Sequence, residues 1–230
     1  MDPADALLRT AIFRDLGKRD VDDLLPYLRQ RAFARGESLW SEGDPAAALY
    51  IVVEGQLKSY RVSRDGVELI LGIVPSGDII GEVGLFHASG VRQVCVSAME
   101  PTLCLTLARD PLLAFMTRHP VVMRRMLESL SQVAGRAAYS LTDVAFDDIR
   151  QRVARTLLDL AREQGEPTES GVRIRLKLSQ ATLAAMVAAS RENVNRALAL
   201  LLAQGVVSQR GGFFFVHDRV ALENEIARAT

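Results

Sequence analysis

The chain has only two cysteines, Cys95 and Cys104, in 230 residues, so no disulfide framework is available to hold it together. It has three histidines, His87, His119 and His217, too scattered to form a metal-ligand spacing or a general base with its partners. No apolar run approaches the roughly 18 residues that a membrane-spanning helix needs. The first residues, MDPADALLRTAIF, lack the basic segment and apolar run of a secretion signal. Excess charge of one sign is missing too, because 28 Lys and Arg balance 28 Asp and Glu. Nor is there a Ser/His/Asp set or a phosphate-binding loop of the nucleotide hydrolases. These absences predict a chain of the cytoplasm that is not an enzyme and is not basic throughout.

What is present is apolar surface and a sharp change of texture along the chain. Hydrophobic residues make up 49%, enough for a sizeable core in one large domain or two small ones. The charge is balanced overall but not locally. Between Gly171 and Arg219 seven cations (Arg173, Arg175, Lys177, Arg191, Arg196, Arg210, Arg219) face two acids, Glu192 and Asp218. A basic segment on a neutral chain suggests a local footprint for an anionic partner.

Residues 1–30 read as helical. Leu7, Leu8, Ile12, Phe13 and Leu16 recur at helical spacing. A second helix is expected after Lys18, capped by Asp20, with Val21, Leu24, Leu25 and Leu28 on its apolar face. From Arg31 to about Arg109 short runs (ALYIVVEG, QLKSYRV, ELILGIV, LCLTLA) alternate with turn signals. Nine of the sixteen glycines lie between Gly36 and Gly90. That pattern predicts an antiparallel sandwich or roll, with Asp65-Gly66 as its clearest hairpin turn.

After Asp110-Pro111 the helical period returns. A segment with Leu112, Leu113 and Phe115 leads to His119-Pro120, and a long helix is expected over about Val121–Val144. Met126, Leu130, Val133, Ala137, Leu141 and Val144 step by four, three, four, four and three, which is near the seam spacing of a two-chain coiled coil. Arg124, Arg125, Glu128, Gln132 and Arg136 fall off that seam. Asp147 or Asp148 should cap the next helix, which ends at Gln164 before Gly165. GEPTESG is expected as a loop and VRIRLKL as a strand.

The most informative stretch is Leu178–Gln204. Ser179 can cap a helix holding Leu183, Ala184, Met186 and Val187. Ala188-Ala189-Ser190 makes a turn, and Ser190 caps a second helix with Val194, Ala197, Leu198 and Leu201 on one face. The other face offers Arg191, Glu192, Asn193, Asn195 and Arg196. VVSQRGGFFFVH then reads as a β-hairpin wing. Arg can donate two parallel bonds to guanine O6 and N7, and Glu can accept from cytosine N4. These groups sit at the end of the helix that meets base edges in helix-turn-helix docking.

SRENVNRAL resembles the recognition helix of the CRP/FNR family of bacterial transcription regulators. The resemblance extends over nearly the whole chain, in order. It implies an α+β protein with a sensor domain built on an antiparallel β-roll of the cyclic-nucleotide-binding type (1–117), a dimerisation helix and hinge (118–146), and a winged helix-turn-helix domain (147–230). Close relatives read a TGTGA-type half-site with the SRE…R pattern. By position, Arg191 and Arg196 would contact guanines and Glu192 a cytosine edge. Ser190, Asn193, Ser179 and Gln180 would contact phosphates. The implied partners are double-stranded DNA, a second copy of the chain and RNA polymerase.

The run Gly77–Phe86, with GEVGLF at its end and Arg92 beyond, is the second informative stretch. Glycines let backbone N–H groups converge on an anion, an Arg supplies paired donors to a phosphate, and a Glu can accept from a sugar hydroxyl. The stretch also looks like the phosphate-binding cassette of cyclic-nucleotide-binding domains, which implies that Gly81, Glu82, Arg92 and Gln93 form an effector pocket. That would give Glu82 the ribose 2′-hydroxyl and Arg92 the cyclic phosphate of cAMP or cGMP. Three positions depart from the pattern. Gln93 replaces a common Ser or Thr, and Ala137 and Ala138 stand where cAMP-dependent relatives carry hydroxyl residues that touch adenine. An iron–sulfur sensor would need four cysteines. The competing readings are a regulator that needs no effector, and a nucleotide-binding module that acts through protein contacts.

Overall fold

The computed structural model describes residues 2–227. They fall into two compact units, one holding residues up to Arg61 together with Ile70–Arg136, the other Val62–Leu69 and the residues from Ala137 on.

The first unit opens with two short helices, α1 (Pro3–Arg9) and α2 (Lys18–Asp22). Asp20 is not the cap of α2. Gly17 takes that place, and Asp20 sits three residues in, its carboxylate accepting from Gly17 N–H at 3.1 Å. The helix is also shorter than its apolar spacing suggests. Pro26 holds the chain in a 3-10 turn, Leu25–Tyr27, and Leu28 already begins a strand. Val21 and Leu24 are still buried as expected.

The roll is built from β1 (Leu28–Phe33), β2 (Ser38–Trp40), β3 (Ala48–Glu54), β4 (Gln56–Val62), β5 (Glu68–Pro75) and β6 (Ile79–Ile80). After a five-residue helix, α3 (Glu82–Phe86), come β7 (Cys95–Ala98) and β8 (Thr102–Ala108). The strands form two antiparallel sheets, ordered β1-β8-β3-β6 and β2-β7-β4-β5. The period of two places side chains of β3 on two faces. Tyr50 and Val52 face a cluster inside the roll with Phe33, Trp40, Leu57 and Val96, whereas Leu49, Ile51 and Val53 join a second cluster with Leu7, Phe13, Leu112 and Phe115. Burial on both faces explains why this strand reads as an unbroken apolar run. Gly66 turns the β4–β5 hairpin at φ +79°, donating its N–H to Ser63 O.

Helices α4 (Arg109–Arg118) and α5 (Pro120–Phe146) follow. The start of α5 belongs to the core of this unit. Val122 and Met126 are fully buried with Phe115, and Arg125 is buried too, paired with Asp15 and donating to Ala11 O at 2.7 Å. Met126 therefore does not lie on an open seam, and Arg125 is not on a solvated face. The exposed apolar positions of α5 follow another register. Met123, Leu127, Leu130, Ala134, Ala137, Leu141 and Val144 step by four and three alternately; all are exposed except Leu130, which is partly buried. Leu141 is 74% exposed.

The second unit continues with α6 (Ile149–Gln164), β9 (Gly165–Thr168), β10 (Gly171–Lys177), α7 (Gln180–Met186), α8 (Arg191–Ala203), β11 (Val207–Arg210), β12 (Phe213–Val216) and α9 (Arg219–Ile226). The fold class is thus as expected: a β-roll domain, a long helix and a winged helix-turn-helix. Asp148 is the cap of α6. Its carboxylate accepts from Gln151 N–H at 2.8 Å, and Gln151 Oε1 accepts from Asp148 N–H at 2.7 Å. GEPTESG is not all loop, because β9 pairs with β10 at Glu166↔Arg173. The wing sheet runs β11-β12-β10-β9. Helix α9 was not expected from the sequence; Asp218 caps it and Leu222 is buried.

Candidate nucleic-acid interface and effector pocket

The two helices of the DNA-binding motif begin at matched hydroxyl caps. Ser179 Oγ accepts from Thr182 N–H at 3.0 Å, and Ser190 Oγ accepts from Asn193 N–H at 3.3 Å. Leu183 and Ala184 of α7 and Val194, Ala197, Leu198 and Leu201 of α8 are buried. The turn between them passes through Ala188 at φ +52°, a left-handed conformation that costs a residue with a Cβ about 1–2 kcal/mol. A neighbourhood that holds Ala there fixes the angle between the helices. Among the described non-glycine residues it is the one with positive φ.

The buried face of α8 leaves Arg191, Glu192 and Arg196 exposed and Asn193 half-buried. Glu192 accepts hydrogen bonds from its own backbone N–H and from Ser190, which pull its carboxyl below the usual carboxylate range. It therefore stays ionised as an acceptor. Arg196 Nη2 donates to Asn193 Oδ1. Ser179 and Gln180 stand at the start of α7, with the Ser179 side chain engaged in its cap.

Just upstream, Arg155 of α6 reaches back to the last turn of α5 and the linker beyond it. Its Nη2 is 2.8 Å from Asp147 Oδ2, and its Nε is 3.3 Å from Asp143 Oδ1. Asp148 is thus the helix cap, and Asp147 is one jaw of a clasp across the break between α5 and α6. Burial pushes the Asp143 carboxyl up, against the pull of Arg155. The break is legible in the sequence, but Arg155 is not, because no local spacing ties it to Asp147.

The second site lies in the roll. Gly81, at φ +101°, precedes α3, and a Cβ there would fall 2.5 Å from Arg92 Nη1. Only glycine allows the two to approach. Arg92 is 4% exposed, and its Nη1 and Nη2 donate to Gly81 O at 3.0 Å and Ala48 O at 2.7 Å. Its guanidinium lies over the ring of Trp40, with Cζ 4.0 Å from the ring centroid. Trp40 is the chain's one tryptophan and is itself tied by Nε1 to Val94 O at 2.9 Å. This partner was not foreseen from the sequence.

Glu82 is buried, and no salt bridge joins it to Arg92 among the described residues. Its Oε2 and the Nε of Arg92 are both buried without a hydrogen-bond partner. Burial pushes the Glu82 carboxyl up, opposed by hydrogen bonds from the backbone and by the charges of Arg136 and Arg92. An orphaned acceptor and an orphaned cationic donor on one short cassette match a ligand that brings both a hydroxyl and an anionic oxygen. The residues present fit a cyclic nucleotide in that sense. Gln93 adds little, because its Nε2 donates to Val91 O at 3.0 Å and Ser89 Oγ at 3.3 Å.

Comparison with known proteins bears on both sites. The profile of the cyclic nucleotide-binding domain matches residues 30–119, and that of the Crp-like helix-turn-helix domain matches residues 151–225. The chain is 31% identical over 212 residues to the CRP-like cAMP-activated global transcriptional regulator of Mycobacterium tuberculosis, covering 92% of this chain and 94% of that protein. The chain belongs to the CRP/FNR family. The cyclic AMP receptor protein of Thermus thermophilus is 32% identical over 216 residues, covering 94% of this chain and 96% of that one. Among solved structures, the c-di-GMP responsive global regulator CLP of Xanthomonas campestris is similar, with a TM-score of 0.76 and 26% identity over 88% of this chain and all (100%) of that one. As a member of the CRP/FNR family the protein is a transcription regulator with a DNA-binding helix-turn-helix domain and a cyclic nucleotide-binding domain. No helix of the described residues is long and apolar enough to cross a membrane.

Proposed function

We propose that this CRP/FNR protein acts as a homodimer that reads a palindromic, TGTGA-like site and that an effector held in the roll sets the aim of its two recognition helices. The observation that carries the DNA part is the Ser190-capped start of α8, which presents Arg191 and an ionised Glu192 side by side. Arg191 reads a guanine and Glu192 a cytosine edge. Ser190, Asn193, Ser179 and Gln180 serve the phosphates. Two such helices related by a two-fold meet half-sites about one helical turn apart, the docking known for helix-turn-helix dimers, the catabolite activator of this family among them. RNA polymerase is the partner through which the bound dimer alters transcription.

The test is Arg191→Ala, measured by fluorescence anisotropy on a TGTGA palindrome and its single-base variants. The expected loss is about 1–3 kcal/mol, concentrated at one guanine of each half-site. A uniform weakening on every duplex contradicts the base-reading role.

The effector reading rests on the two orphaned atoms of Glu82 and Arg92. Glu82 accepts from a ribose hydroxyl, and Arg92 holds the cyclic phosphate. Ala137 and Ala138 have no side-chain hydrogen-bonding group, so the base is held by packing, and cGMP is to be tested beside cAMP.

A pH dependence follows from the raised Glu82 carboxyl. A hydroxyl that donates to Oε2 favours the ionised form, so binding releases a proton wherever free Glu82 is protonated. Nucleotide affinity should therefore rise with pH up to the raised value of the free protein, then level off. Free folded protein, by contrast, loses stability as pH rises from the ordinary glutamate value of 4.5 through the raised one, because the buried group must ionise. Calorimetry across pH on wild type and Glu82→Gln checks this, and an equal pH profile in the variant contradicts it.

A further inference from the structure

Arg92 is held by more than the two carbonyls of the roll. Nη1 is tied to Gly81 O and Nη2 to Ala48 O. Two anchored nitrogens still leave the guanidinium plane free to tilt about the line that joins them. The ring of Trp40, its centroid 4.0 Å from Cζ, removes that freedom. Arg92 is buried, and a desolvated guanidinium is the kind that an aromatic face holds most strongly. Nε is the nitrogen left without a hydrogen-bond partner, and the tilt of the plane decides where its hydrogen points. Trp40 is fixed in turn. The pairing of β2 with β7 slips by one residue, Ser38 pairing with Ser97 but Trp40 with Val96. An irregularity of this kind re-aims a side chain, and here the indole is buried inside the roll while Ser38 is exposed. Trp40 Nε1 donates to Val94 O at 2.9 Å, and Tyr50 packs against the indole with ring centroids 5.0 Å apart.

We infer that Trp40 is a positioning residue of the effector pocket: it fixes the tilt of the Arg92 guanidinium, so that Nε–H is already aimed when the anionic oxygen of the effector arrives. This role rests on the effector reading above and adds to it a residue that acts on the ligand only through Arg92. The physical gain is preorganisation. A long side chain that must be ordered on binding weakens affinity by about threefold to tenfold, and one held in place beforehand avoids that loss. Leucine at position 40 fills much of the same space but offers no π face, so the plane regains its tilt. Phenylalanine keeps the face and gives up only the bond to Val94 O.

The experiment is calorimetry with cAMP and cGMP on wild type, Trp40→Leu, Trp40→Phe, Arg92→Lys and the double variant Trp40→Leu/Arg92→Lys. Thermal melts confirm that each is folded. Trp40→Leu is expected to bind about threefold to tenfold more weakly than wild type, and Trp40→Phe to recover most of the loss. Arg92→Lys keeps the charge and a weaker affinity, and adding Trp40→Leu to it should cost nothing more, because no planar group is left to orient. The emission of Trp40, the chain's one tryptophan, tests the same contact without a substitution. It should change with added nucleotide along the calorimetric isotherm, because the charge over the ring is drawn towards the phosphate. Wild-type affinity in Trp40→Leu, or an equal loss in the Arg92→Lys background, overturns the positioning role. So does a Trp40→Phe variant as weak as Trp40→Leu, which moves the effect to the Val94 bond, or an emission indifferent to saturating nucleotide. Failure of the wild type to bind either nucleotide removes the effector reading itself, a result told apart from these because it precedes any substitution.

Discussion

Leu141→Glu is expected to turn the proposed dimer into monomers and to abolish tight binding to a palindrome. The physical basis is the register of α5. Met123, Leu127, Leu130, Ala134, Ala137, Leu141 and Val144 alternate steps of four and three, the spacing that keeps one stripe facing a partner helix. In the protomer Leu127 is 62% and Val144 54% exposed, and Leu141 more so, which is a long apolar stripe for a helix to leave in water. Burying a leucine contributes about 1.5–3 kcal/mol, and each dimer loses two of them. The two new carboxylates also face one another across the two-fold, where desolvation and like charge both oppose association. A loss of about 4 kcal/mol raises the dissociation constant about a thousandfold. Because Leu141 is outside the core, the protomer itself should keep its fold and helicity. Sedimentation at micromolar concentration checks the result. A variant that remains dimeric places the interface elsewhere.

Arg92→Ala is expected to remove nucleotide binding and to weaken the roll. Arg92 is the buried cation of the cassette, and its loss leaves Ala48 O without its side-chain donor and Gly81 O with only the Leu85 N–H. The unsatisfied Ala48 O costs about 1–3 kcal/mol, and the stacking on Trp40 contributes up to about 2 kcal/mol more. A destabilisation of about 3 kcal/mol or more is therefore expected from denaturant melts. Arg92→Lys should recover part of it, since a single ammonium cannot satisfy both carbonyls and lie flat on the ring. Trp40 gives a direct readout, because its fluorescence reports the removal of the guanidinium and any ligand that moves it. Calorimetry with cAMP and cGMP should show binding to wild type and none to Arg92→Ala. Equal binding by both proteins contradicts the phosphate role. An absence of heat from any nucleotide with wild type supports regulation without an effector.

Much of the fold is legible in the sequence where the determinants are local. Asp65-Gly66, the Ser179 and Ser190 caps and the Gly165 stop are each decided by a few neighbouring residues. What failed depended on distant partners. Leu28 was assigned to a helix by its spacing, but Pro26 ends that helix and Leu107 of β8 pairs with Leu28 as a strand. Gly165–Thr168 carries the composition of a loop and becomes a strand only because β10 lies beside it. The spacing of α5 places Met126 on its seam, but Met126 is buried in the protomer. Leu130, Ala137, Leu141 and Val144 belong to both possible registers, and nothing in the helix itself tells that Met126 is buried against Phe115. At the sites, Gly81, Glu82 and Arg92 were visible as a motif. The Trp40–Arg92 stack and the Arg155 clasp were not, since each joins residues that no sequence spacing links.

Discrimination of a palindrome through two symmetric recognition helices is what the proposed function of this CRP/FNR protein requires above all. The most direct measurement is the affinity and stoichiometry of the purified protein on a TGTGA palindrome, with cAMP, with cGMP and without nucleotide, against duplexes bearing one substituted base pair per half-site. The expected result is two protomers per duplex and a loss of about 1–3 kcal/mol for substitution of a pair read by Arg191 or Glu192, with no such loss at unread positions. One protomer per duplex, or equal affinity for every sequence under all three conditions, would contradict it.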